Sequence, residues 1–199
     1  MNRALEQILP RVQKPARYTG GEYNAVVKDR RQADLRYALC FPDTYEIGMS
    51  NLGLRILYGV MNGMEGVWCE RVFAPWTDME EEMRQAGIAL YGLESGDPIS
   101  GFDIIGFSLG YEMAYTNVLN MLDLAGLPLR SAHRPDLTPL VVAGGACAYN
   151  PEPLAPFVDL FILGEGEEVT PEYIQLYRQA REECWSKEEF LQEAAKIEG

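Results

Sequence analysis

The sequence is poor in the residues that build metal centres and nucleophilic active sites. Cys40, Cys69, Cys147 and Cys184 lie far apart, with no C-x-x-C pair and no C-x-x-x-C-x-x-C triad. Zinc and iron-sulfur ligation therefore lack their usual spacing, and the four thiols read as buried cysteines of a cytosolic protein. The single histidine, His133, stands in a polar, proline-containing stretch without a companion acid or cysteine. It reads as a surface loop residue, and no Ser-His-Asp or Cys-His set can be assembled around it. No apolar run approaches the ~18 residues that cross a bilayer, and Met1–Pro10 has no secretion-signal core, so the expected location is cytoplasmic, off the membrane. Basic residues are scarce as well. Seventeen against thirty acidic residues give a formal charge of -13, a field that repels a phosphate backbone and disfavours direct nucleic-acid binding.

What is present suits one domain with appended helices: 199 residues, of which 47% are hydrophobic. Short apolar runs at Leu35–Phe41, Gly66–Phe73, Ile88–Tyr91, Asp103–Gly110, Leu140–Ala143 and Leu160–Leu163 have strand length. Between them, apolar residues recur at helical spacing: Leu54, Leu57 and Met61, then Met79 and Met83, then Tyr115 to Leu124, then Val169, Tyr173 and Tyr177. Alternating strands and helices predict an α/β fold with a doubly wound, mainly parallel sheet. Residues 1–34 form an amino-terminal extension with a helical stripe over Arg3–Gln13, residues 35–182 the α/β domain, and residues 183–199 a helical carboxyl-terminal segment. The acids at Asp78, Glu80, Glu81 and Glu82 read as the solvated face of a helix.

In such a sheet, ligands meet the loops that follow the carboxyl ends of strands. Three of these loops carry marked residues: Asp43 to Gly48, Ser108 to Gly110, and Gly144-Gly145. Asp43 and Ser50 either meet a ligand's polar groups or cap the next helix. Gly144 and Gly145 form a tight turn or permit close passage of a ligand. Gly164-Glu165-Gly166-Glu167 opens a helix whose amide field its own carboxylates can satisfy, which argues against a phosphate there.

The order Asp-x-x-x-x-Gly, Ser, Gly-Gly resembles the cobalamin-binding domain, a flavodoxin-like doubly wound fold. In that family a histidine of the first loop ligates cobalt; here Asp43-Thr44-Tyr45-Glu46-Ile47-Gly48 carries Tyr45 instead, and neutral tyrosine is a poor cobalt ligand. Together with Asn150-Pro151-Glu152-Pro153, Val158-Asp159 and Gly164-Glu165-Gly166-Glu167, the chain is similar to the cobalamin-binding-like amino-terminal domain of radical S-adenosylmethionine (SAM) enzymes. The resemblance implies a domain that binds cobalamin without the histidine ligand, through Asp43, Tyr45, Gly48, Ser108, Gly110, Gly144, Gly145, Gly164 and Gly166. It implies docking on a radical SAM barrel of the same chain. The 4Fe-4S cluster and S-adenosylmethionine belong to that barrel, and this stretch, without the three-cysteine motif, does no radical chemistry alone. Two other readings stand beside it. One is an interaction module that has lost its cofactor. The other is a stand-alone flavin or nucleotide protein, against which Asp43 and Glu46 count.

Overall fold

Five of the apolar runs pair as strands: Leu35–Phe41 (β1), Val67–Phe73 (β2), Ile104–Ser108 (β3), Leu140–Gly144 (β4) and Leu160–Ile162 (β5). The computed structural model describes residues 3–198. Every pairing is parallel and the order is β2-β1-β3-β4-β5. This is the doubly wound, flavodoxin-like arrangement, with its reversal of strand order between β1 and β3. The helices are Arg3–Ile8 (α1), Tyr45–Ser50 (α2), Leu52–Gly63 (α3), Thr77–Ala86 (α4), Tyr115–Leu124 (α5), Gly166–Glu182 (α6) and Lys187–Ala194 (α7).

The two-residue period of the strands divides their apolar side chains between two cores. Leu35, Leu39, Val67, Ile104, Leu140 and Val142 pack against Leu54 and Met61 of α3, Tyr173 and Ile174 of α6 and Phe190 of α7. Ala38, Cys40, Ile105 and Val141 pack against Met79 and Met83 of α4 and Val118 and Leu122 of α5. Leu5 and Ile8 of the amino-terminal helix join this second core. That helix ends sooner than the spacing over Arg3–Gln13 predicts: a 3-10 turn takes over at Leu9–Arg11, where Pro10 has no N–H to continue the helix.

The predicted strand at Ile88–Tyr91 does not form; only an isolated bridge joins Tyr91 to Pro98. Its apolar residues are used differently. Leu90 is buried beneath the sheet, with its N–H donating to the Leu124 carbonyl at 2.9 Å and its own carbonyl accepting from Ile99 at 2.9 Å. Residues further along then reach the outer edge of β2. Glu94 accepts from Arg71 N at 2.8 Å and Leu93 N donates to Arg71 O at 2.9 Å. The Asn62 side chain serves both the N–H and the carbonyl of Cys69, and Lys28 Nζ donates to Val67 O at 2.6 Å. Side chains and the Leu93 N–H, not a sixth strand, satisfy the edge. The cysteines also differ in part from expectation: Cys40 and Cys69 are buried, Cys147 is half-buried and Cys184 is exposed, all as free thiols. His133 is exposed, as its polar surroundings predict.

At the amino end of the sheet one carboxylate gathers four partners. Asp159, its side chain wholly buried, accepts from Lys187 Nζ at 2.7 Å, Arg134 Nη2 at 3.2 Å, Val141 N at 2.8 Å and the Ser131 hydroxyl. It thereby fixes α7 and the loop before β4 to the start of β4 and β5. Removing the carboxylate strands two buried cations. Asp159→Ala is expected to lower unfolding free energy by about 3–5 kcal/mol, read as a lower urea midpoint; an unchanged midpoint contradicts this role.

Candidate ligand site

A hollow lies on the α3/α6 face of the sheet, just below the carboxyl ends of the strands. Leu39 of β1 is in register with Gly106 of β3, Gly106 with Val142 of β4, and Ser108 with Gly144, which in turn pairs with Ile162 of β5. Small residues at Ser108 and Gly144 leave the sheet bare where larger side chains would meet the helices, while Gly106 is covered by the Tyr37 ring. The resulting cavity has a volume of about 190 Å³ and is walled by Tyr37, Leu39, Val142 and Ile162, by Gly53 and Leu57 of α3, and by Gly166, Glu167 and Thr170 of α6. Gly145 and Gly164 complete its mouth. Helix α3 is set in place by Asn51, whose Oδ1 accepts from Leu54 N at 2.9 Å, so neither Asp43 nor Ser50 is its cap. Helix α6 starts without a cap from the Glu165 side chain.

Five of the residues marked from the sequence, Ser108, Gly144, Gly145, Gly164 and Gly166, thus meet around one cavity. The other four are placed elsewhere. The Asp43 carboxylate accepts from the Tyr111 hydroxyl and from Thr44 N, tying the loop after β1 to the loop after β3. Tyr45 donates its hydroxyl to Glu22 Oε1 at 3.0 Å and sets its ring edge-on to Phe73, with centroids 5.5 Å apart. Burial, and then the Glu22 carboxylate, raise the Tyr45 phenol above its ordinary value, so it stays neutral at physiological pH. Gly48 is a packing glycine: a Cβ there would lie 2.2 Å from the Phe73 ring. Gly110 is exposed with open space around it. Next to Tyr45, Glu46 is held by Arg17 Nε at 2.9 Å and Lys14 Nζ at 3.2 Å, and the Arg17 hydrogen bond draws its carboxyl down to about 2. Among the described residues no group of three or more His, Cys, Asp or Glu is arranged to hold a metal ion.

The same end of the sheet carries most of the exposed apolar side chains. Of the ten large hydrophobic side chains exposed among the described residues, seven follow the carboxyl ends of strands: Ile47 and Leu52 after β1, Trp76 after β2, Tyr111 and Met113 after β3, Tyr149 after β4 and Leu163 after β5. These side chains are concentrated at one end of the sheet.

A family profile described as the N-terminal region of radical SAM proteins matches residues 53–199. An uncharacterized protein of Methanocaldococcus jannaschii is 27% identical over 131 residues, which make up 65% of this chain and 24% of that protein. The chain therefore spans about a quarter of the length of the curated relative it matches. No solved structure matches the sequence significantly.

The three inner glycines serve different ends. Gly106 seats a tyrosine: a Cβ there would fall 1.9 Å from the Tyr37 hydroxyl. Gly145 makes a turn, with φ at +102° and a would-be Cβ 2.8 Å from the Leu109 carbonyl. Gly144 has neither constraint, since its Cβ would make ordinary contact with Ile162 at 3.4 Å, and what its bareness preserves is cavity space. Gly145→Ala is accordingly expected to cost about 1–3 kcal/mol in stability through backbone strain, whereas Gly144→Ala stays within about 0.5 kcal/mol of the parent. Paired thermal melts check the contrast, and equal losses refute it.

Proposed function

This chain belongs to the family of amino-terminal domains of radical SAM proteins, and from that membership we propose that it is a cofactor-holding and docking domain, with its sheet's carboxyl end turned toward the catalytic barrel of the same protein. The observation that carries the reading is that the cavity lies at the carboxyl end of the sheet, the end that also carries most of the exposed apolar side chains. The barrel is the partner that matches this end, because the chain accounts for only 24% of the matched relative's length and the family places it before a radical SAM domain. The 4Fe-4S cluster and S-adenosylmethionine belong to that barrel.

Cobalamin fits the cavity in part. An engineered cavity of about 150 Å³ admits benzene, so a volume of about 190 Å³ takes a ring-bearing arm of a cofactor and excludes a corrin. The arm would be held by Gly106, Ser108, Gly144 and the first turn of α6, and the macrocycle would be left to the rim. Tyr45, occupied by Glu22, is not available as a cobalt ligand. When bound, cobalamin supplies methyl-transfer or redox chemistry, and this domain's share is to hold and orient it. The second reading, a docking module without cofactor, is favoured by the first loop, where Asp43 is engaged with Tyr111 and Tyr45 with Glu22.

The deciding measurement is corrin absorbance retained through gel filtration after mixing the protein with hydroxocobalamin. We expect retention by the parent and its loss in Gly144→Leu, which fills the cavity from a position that tolerates a Cβ, with circular dichroism unchanged. Absence of retention by the parent at ligand well above the protein concentration rejects cobalamin binding by this chain and selects the docking module.

A further inference from the structure

The cavity wall contains a pair of hydroxyls with one hydrogen too many. Tyr173 donates to the Tyr37 hydroxyl at 2.7 Å, both rings being buried. Two hydroxyls joined by one such bond have one O–H left over. Tyr37 lines the cavity. With Tyr173 donating, the free O–H belongs to Tyr37, which is only 4% exposed and has no acceptor among the described residues. Its oxygen lies over bare Gly106, at the sheet wall of the cavity. A buried donor without an acceptor is costly, and a ligand that offers one removes that cost.

The walls narrow the chemistry further. Among the described residues no Lys, Arg or His lines the cavity, and Glu167 stands at it, so an anionic ligand group finds no countercharge there. Leu39, Leu57, Val142 and Ile162 give apolar contact, and a glycine-bared sheet presents a flat side. We infer that the Tyr37 hydroxyl selects, in this cavity, an uncharged flat ring that carries an in-plane hydrogen-bond acceptor. Tyr37 is then a specificity-determining residue that neither the first-loop motif nor the glycine pair points to. The inference rests on the cavity being the ligand site proposed above.

Benzimidazole and indole test it, because they have nearly the same shape and differ by one ring nitrogen acceptor. Their affinities are measured by calorimetry at neutral pH on the parent, on Tyr37→Phe and on Thr170→Val. The ratio of benzimidazole to indole affinity is expected to fall about fivefold or more in Tyr37→Phe, with indole binding kept or improved. Thr170→Val, which leaves the Tyr173-to-Tyr37 bond intact, keeps most of the ratio. A loosened fold weakens both rings together and leaves the ratio unchanged, so instability cannot imitate the result. An unchanged ratio in Tyr37→Phe overturns the selection by Tyr37 while leaving the cavity a ligand site. Binding of neither ring to the parent overturns both.

Discussion

The contact on which the site depends is the seat of Tyr37 on Gly106. A phenol on β1 reaches across to the central strand, β3, and it can do so only because Gly106 there has no side chain. Its hydroxyl then meets Tyr173 of α6, so a hydrogen bond between two buried rings sets how closely the helix approaches the sheet. Further toward the carboxyl end, Ser108 and Gly144 are too small to fill the same layer, and the space persists as a cavity. Close packing makes such gaps uncommon in a protein interior. Here the gap is roofed by the first turn of α6, where Gly166 lies against Leu57.

The two ends of the sheet are built on opposite principles. At the amino end, ion pairs join elements: Asp159 with Lys187 and Arg134 and Arg36 with Glu70 are buried, and Arg36 with Asp97 and Arg181 with Asp103 are partly exposed. Such pairs hold geometry because leaving either partner alone is far more costly than the pair itself is favourable. At the carboxyl end several large apolar side chains are exposed, and Asp43 is engaged with Tyr111.

Much of this was legible in the residue order. Apolar runs closed by glycine located the strands, and the position of their loops located Ser108, Gly144, Gly145, Gly164 and Gly166, because a parallel sheet puts every such loop at one end. Ile88–Tyr91 misled, since a run of four apolar residues is equally consistent with a strand and with a buried connection, and only contact with Leu124 and Ile99 decides it. Asp43, Tyr45 and Gly48 followed a motif, but their surroundings come from Tyr111, Glu22 and Phe73, residues separated from them in sequence. Tyr37 and Thr170 carried no local signal at all. Gly106 did carry one, as a lone glycine inside Ile-Ile-Gly-Phe, the pattern of close approach by another group.

The treatment of the sheet's margins has a consequence for how the domain is joined to anything larger. On one side the backbone of β2 is already bonded to Asn62, Glu94 and Lys28, and on the other β5 is a mere three residues long. Both features discourage an incoming strand from extending the sheet sideways. Under the docking proposed above, attachment then runs along the strand axis, with the next domain set end-on like a stopper on a bottle. In that geometry a small tilt of the stopper would change the exposure of the whole mouth at once.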